Sequence, residues 1–359
     1  MSDLMTESTD STKLQNKYGN YYVPAYKIKS SGNDLISSLS LSVTEIEVVL
    51  SVDSAGMVVI KIADAYDIKS HSFDSKIKKA LMLGTIIEIE LGYLSATTPV
   101  FKGYVAGFGA LFDDMPLLVV KLMDVRKLMM TSGVRRQLYE DKNYSDIFKK
   151  LMGTYSKLCS PVCDATSDNL TSPVSQNSSD YDFICRELLD NGKADREFFV
   201  FYDKAYFRIR SKNKTPIMKA ELGEELLKFS MMADYLDTEI NLIGHDPIQC
   251  KDICAKVKAK TPAKCIPVLT PSPPQFYFDA DSDTEAKAKC RAQAIANTEI
   301  AGVCFASGEM VGLPEIVPGR YLEIKDLDEM TDKKYYITEV RHVISDSTFT
   351  TFFESKGWI

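Results

Sequence analysis

The sequence is poor in the residues that most often do chemistry. It has three histidines, His71, His245 and His342, and none stands in an H-E-x-x-H pattern or beside a G-x-S-x-G turn. That removes the zinc-protease and serine-hydrolase signatures, in which a ligand or base must sit at a fixed spacing from its partner. Long apolar runs are missing too: nothing approaches the roughly 18–20 residues that a membrane span needs. The opening stretch, MSDLMTESTDSTKLQNKYGN, has no basic region followed by an apolar one. No secretory signal is therefore expected, and residues 1–20 read as a polar arm. The formal net charge of −7 opposes non-specific binding to nucleic acid or to an anionic surface.

Eight cysteines are spread along the chain instead of forming a dense framework, so reduced, buried thiols are expected. Cys159/Cys163 and Cys250/Cys254 are the closest pairs, with His245 near the second. A structural zinc site needs four ligands in two close pairs, and no second pair stands at a matching spacing. Neither a metal nor a cofactor is expected.

What is present is strand alternation. From Glu45 to Val52 one face carries Ile46, Val48, Leu50 and Val52, and the other carries Glu45, Glu47 and Ser51. Asp53-Ser54-Ala55-Gly56 supplies a turn before Met57–Ile62. Thr85–Leu91 repeats the pattern, with Ile87, Ile89 and Leu91 inward and Glu88 and Glu90 outward. Strands at Val100–Phe108 and Leu117–Leu122 follow. These predict a first β-barrel over residues 21–135.

The middle of the chain changes period. Tyr144, Ile147, Phe148 and Leu151 fall at helical spacing behind a candidate cap, Ser145, and Ser156–Ser179 reads as loop. Ser179 with Asp182 makes a capping box, with Asp180 and Asp182 favouring the helix dipole. Tyr181, Ile184 and Leu188 form a stripe, and Asn191-Gly192 a stop. Phe198–Tyr202 and Tyr206–Arg210 read as a hairpin. Residues 136–225 are thus a small α/β module. From Leu227 the β pattern returns, making 226–359 a second barrel, with a proline-rich connection at 261–274 and a helix at 284–297. Asp283 is the expected cap of that helix and Cys290 is expected on its buried face. The fold class is β-rich α+β: two tube-like antiparallel β-barrels around an α/β module.

A repeat supports the pairing of the barrels. At an offset of 235, Gly84 falls on Gly319, Ile87 on Leu322, Glu88 on Glu323 and Ile89 on Ile324. Seventeen residues after each glycine stand Phe101 and Tyr336, and Val105 then coincides with Val340.

The C-terminal segments DTEAKAKCRAQAIA, AGVCFASGEMVGLPEIVPGRYLEI, YYITEVRHVI and STFTTFFES resemble, in order and spacing, the late control D family of phage tail proteins. That family shares its architecture with the hub portion of VgrG spike proteins and the T-even phage baseplate hub. VSQNSSDYDFICRELLDNG is similar to the opening of the family's middle domain, and LGTIIEIELGY with VFKGYVAGF to its first barrel. The resemblance implies a non-enzymatic hub of a contractile tail or injection-system baseplate. As a homotrimer it would present six barrels to a hexameric tail tube or tube-initiator protein, and threefold symmetry to a spike. Baseplate wedge proteins would surround it, in a particle assembled in the bacterial cytoplasm. A hub of a type VI-like secretion machine is the alternative, and a tail-borne cell-wall hydrolase a more distant one.

The sequence ends at the last hub strand, so the spike is expected to be a separate polypeptide. Phe352, Phe353, Trp358 and Ile359 are then candidate spike-binding residues, Trp358 being the only tryptophan. Lys251, Lys256, Lys258, Lys260 and Lys264 form the one basic stretch, read as a solvated face.

Overall fold

The computed structural model describes residues 3–190, 196–210, 213–262, 272–345 and 347–358. In chain order the strands used below are β1 (Pro24–Ser30), β2 (Ser42–Ser51), β3 (Met57–Ala63), β4 (Ile86–Tyr93), β5 (Ala96–Leu111) and β6 (Leu117–Met123). Then come β7 (Ser160–Cys163), β8 (Arg196–Phe201), β9 (Lys204–Ile209), β10 (Pro216–Glu221) and β11 (Leu226–Ala233). The last are β12 (Asp237–Asp246), β13 (Lys251–Lys260), β14 (Gln275–Phe278), β15 (Cys304–Val311), β16 (Tyr321–Lys325), β17 (Lys334–Ser345) and β18 (Thr348–Trp358).

One 13-stranded, largely antiparallel sheet carries the molecule, in the order β11-β15-β18-β17-β2-β3-β6-β5-β4-β1. β16 adds to β17 and β10 adds in parallel to β16. The alternation read in the sequence is real: Ile46, Val48 and Leu50 of β2, and Ile87, Ile89 and Leu91 of β4, are buried. They belong to one large core that also takes in Leu322, Ile324, Val340 and Phe353. Glu90 departs from expectation. It is buried, bonded by Lys29 and by Thr97 Oγ1 at 2.7 Å. Burial alone would raise its carboxyl pKa, but these partners and Lys27 outweigh that and hold it below the usual range.

Five strands recur with matching register. β2-β3-β6-β5-β4 corresponds to β11-β15-β18-β17-β16, in the same order along the chain and across the sheet. Gly84 and Gly319 both take positive φ, +86° and +80°, as the turn requires. Each donates to the return strand, Gly84 to Val105 O at 2.9 Å and Gly319 to Ile337 O at 2.8 Å. Two bulges coincide as well: Val43/Glu45 with Leu226/Lys228, and Val105/Gly107 with Ile337/Glu339. The structure corrects the repeat in its return strand. Val105 matches Ile337, not Val340, and Tyr336, opposite Tyr321, matches Tyr104, opposite Ile86, rather than Phe101, so the second hairpin is three residues shorter. Residues three apart face the same side across a bulge, which made the wrong register look in phase.

The middle helix, α1 of the elements discussed here (Tyr144–Met152), begins after Asn143, not at Ser145. Its free amides are taken by a loop: Tyr144 N donates to Asp168 Oδ2 at 2.9 Å, and Ser145 N to Thr166 Oγ1 at 3.1 Å. Ile147, Phe148 and Leu151 join Phe183, Phe198 and Phe207 in a second core. Ser179 does cap its helix, accepting from Asp182 N at 3.1 Å; the stop at Asn191-Gly192 lies outside the described residues. The stretch read as loop holds β7, which pairs in parallel with β9.

Between β11 and β15 sits a third core, where β12, β13 and β14 pack on helix α2 (Glu285–Gly302) through Ile240, Leu242, Ala288 and Ala292. Thr284, not Asp283, caps this helix, and Cys290 is exposed on it. Most of the proline-rich connection lies outside the described residues. The polar arm packs on the rest of the chain over its described residues, with Met5 in the core. Ser11–Tyr18 is helical behind an Asp10 cap, and Leu14 and Tyr18 are buried. Tyr18 Oη bonds Glu315 Oε1 at 2.7 Å and meets Thr98 Oγ1 at 2.7 Å, pinning this helix to both strand sets.

Beside the turn between β2 and β3, a buried ion pair ties the first strand set together. Asp124 Oδ2 accepts from Arg126 Nη2 at 2.7 Å and from Gly56 N at 2.7 Å, while Arg126 Nη1 donates to Ser51 O at 2.9 Å. Removing one partner leaves a buried charge without compensation. Asp124→Ala is expected to lower stability by about 3–5 kcal/mol, measured as a shift in the urea midpoint with unchanged slope.

Candidate assembly surfaces

β2 and β17 form the joint between the two strand sets. Glu339 to Ser345 run antiparallel to Ser51 to Glu45. On the inner face Ile46, Val48 and Leu50 stand opposite Ile344, His342 and Val340, all buried. On the outer face Arg341 reaches Glu47 at 3.3 Å and lies 4.2 Å over the Phe352 ring, while Lys61 reaches Glu45 at 2.9 Å. One face of the joint is therefore core and the other a mixed-charge surface.

Two of the strand edges left unpaired among the described residues lie within the repeated strand sets. β5 is paired with β4 as far as Tyr104, Val105 bonds Gly84 and Thr85 just before that strand, and past Val105 the edge on that side is bare. From Lys228 to Ala233, β11 pairs with β15 alone among the described residues. Beside the bare part of β5 lies an apolar cleft of about 490 Å³, lined by Phe73, Leu81, Met82, Phe108, Leu118 and Val120. Phe108 and Phe112 are 66% and 63% exposed. Large exposed apolar groups on an open strand edge form a docking or aggregation site.

The residues singled out in the sequence are distributed differently. Phe353 is a core residue, packed so closely on Gly308 that a Cβ there would stand 2.5 Å from the ring. Phe352 lies on the charged face. Trp358 pairs by its backbone with Tyr335, and Ile359 lies outside the described residues. The unpaired edges left no signature in the sequence, because an open edge and a paired one share the same alternation.

The histidines do not converge. His245 is exposed and 3.1 Å from Asp252. His342 is buried at the joint, with Nδ1 2.9 Å from Thr351 Oγ1. Among the described residues no three His, Cys, Asp or Glu side chains are placed to hold a metal ion. Cys250 and Cys254 are both exposed, whereas burial pushes the Cys159 thiol up to about 12 and that of Cys163 to about 11. These last two are inert packing groups. On the basic strand β13, Lys256, Lys258 and Lys260 alternate with Ala255, Val257 and Ala259, which turn toward α2.

No curated protein matches the chain. A family model described as the Alg8 N-terminal domain matches residues 21–241. Among solved structures, the 43 kDa tail protein of prophage MuSo2 from Shewanella oneidensis aligns at TM-score 0.68 and 11% identity, over 92% of this chain and 98% of that one. A tail protein from Neisseria meningitidis MC58 aligns at 0.66 and 12%, over 94% and 97%. An E. coli component of the type VI secretion system, described as similar to T4 bacteriophage tail proteins, aligns at 0.60 and 12%, over 93% and 77%. The chain has the fold of these tail and secretion proteins.

His342 makes the joint sensitive to acid. Burial lowers its pKa from 6.5 to about 3, so the folded chain keeps it neutral while the unfolded chain takes up a proton below about pH 6.5. Stability is therefore lost as pH falls from about 6.5 toward 3, at roughly 1.4 kcal/mol per pH unit. Urea unfolding from pH 7 to 4 is expected to show a steeper loss for the native chain than for His342→Gln, whatever packing that variant costs at neutral pH.

Proposed function

The chain belongs to the Alg8 N-terminal domain family, and we propose that it is a structural hub in the baseplate of a contractile phage tail or a related injection system. The observation that carries this reading is the strand set that occurs twice in one chain, joined edge to edge through β2 and β17. We read the two sets as tube-like barrels, over residues 21–135 and 226–359, with the α/β module at 136–225 between them. Two barrels per chain let three chains present six similar units, so a homotrimer fits a hexameric tail tube on one side and a trimeric spike on the other. The mixed-charge face of Arg341, Glu47, Glu45 and Lys61 then faces the channel, where a hydrated surface does not adhere to what passes.

On this reading the tube or a tube-initiator protein, a separate spike and the wedge proteins are the partners. Such a hub acts by geometry, and no side chain need be catalytic. The likeness to a type VI secretion component favours a second setting for the same role, a hub in that kind of machine.

The end of β18 is the proposed spike-facing rim. The purified chain is expected to have three times the 40.2 kDa subunit mass by light scattering; a stable monomer, alone and with a co-expressed spike, would count against the reading. Truncation after Ser355 is expected to leave the trimer folded and to abolish capture of the spike. If melting temperature falls while spike capture per folded trimer is unchanged, the rim lies elsewhere.

A further inference from the structure

The repeated strand set makes the joint between its two copies informative about the free ends. Within the chain, β2 of the first set pairs with β17 of the second. The strand that corresponds to β17 in the first set is β5, and its matching segment is bare. The strand that corresponds to β2 in the second set is β11, and its matching edge is bare too. Each chain thus has one completed joint and the two separated halves of another.

The side chains agree with that. Val340, His342 and Ile344, which β2 covers, are 0%, 0% and 5% exposed. Gly107 matches Glu339 at the shared bulge, so their counterparts on β5 are Phe108, Ala110 and Phe112. Phe108 and Ala110 are exposed and line the apolar cleft, and Phe112, exposed as well, follows just past the end of β5. On β11, the counterparts of Ile46 and Val48 are Phe229 and Met231, which are half-buried at the sheet edge. The face that is core at the internal joint is left open at both ends.

We propose that β11 of one copy adds antiparallel to the bare edge of β5 in the next copy, in the register of the internal joint. The partner is a second copy of this chain, and the inference rests on the hub reading above. In that register Phe229 stands opposite Phe112, Met231 opposite Ala110 and Ala233 opposite Phe108. Lys228 falls opposite Asp113, giving the new joint a charge pair at its end. The pairing is head-to-tail, so it forms a closed ring when the rotation per copy divides the circle and removes every open edge of this kind. A filled cleft and a paired edge then come from the same contact.

Directly opposed residues on antiparallel strands lie within disulfide range, so the register can be read by cross-linking. The full chain would carry Cys250, Cys254 and Cys290 as Ser, to silence exposed thiols, with Ala110→Cys and Met231→Cys added. Oxidation is expected to yield covalent trimer as the main species on a non-reducing gel. Gly109→Cys with Met231→Cys, one residue out of register and on the opposite face, is expected to yield little. A second variant guards against a folding defect: Phe108→Asp changes an exposed residue and should lose the oligomer while keeping the circular dichroism spectrum and melting of a folded chain. If the chain is trimeric yet the in-register pair does not cross-link, or the out-of-register pair links equally well, the proposed contact is wrong and the hub reading stands. If β5 cross-links only to a co-expressed tail protein, the occupant is that protein and the proposal fails. If the chain is monomeric with every edge free, both fail together.

Discussion

The antiparallel pairing of β2 with β17 is the contact on which the rest depends. It converts two similar strand sets into one continuous sheet and gives that sheet a buried face and a charged one. Val52 N continues the ladder to Thr338 O at 2.9 Å, and the Asp124–Arg126 pair fixes the turn just beyond it. Strand pairing of this length leaves few unsatisfied backbone groups at the joint. It also sets the angle between the strand sets, which no flexible linker would do.

Around the joint, the remaining elements act as braces. The N-terminal helix bonds Thr98 of the first set and Glu315 of the second. Arg320, buried behind Gly319, donates to the backbone of Leu4 and Glu7, at 2.5 and 3.1 Å. The middle module is tied to the second set by Glu197, which accepts from Arg208 Nε at 2.9 Å and bonds the buried Tyr336 hydroxyl. Burial raises the Tyr336 pKa well above its ordinary value, with the Glu197 charge acting in the same direction. The bracing is polar but enclosed, which favours one arrangement over a range of them.

Much of this was legible in the sequence, because a half-buried strand writes its two faces into alternate residues. β2, β3, β4 and β6 were found that way, as was the hairpin of β8 and β9. β7 was not: Ser160, Pro161 and Val162 are all exposed, so no alternation marks them. The N-terminal helix left a fainter sign, Leu14 and Tyr18 four apart behind Asp10, which the polar composition of the segment masked. The caps at Asn143 and Thr284 were each misplaced by one or two residues, since several neighbouring side chains could serve and tertiary contacts chose between them. The surfaces were the least legible part. Phe108 and Phe112 alternate like core residues, and only the coordinates show that both are mostly exposed. The C-terminal aromatics gave the opposite error in kind: Phe353 looked available and is core.

The central claim is that this chain is built to close a ring in which each subunit supplies two similar units. Electron microscopy of the purified oligomer, viewed down its axis, tests it most directly. The account predicts a ring of six similar lobes with threefold modulation around an open channel. A compact particle without a channel, or a ring whose lobes do not number twice its subunits, would contradict it.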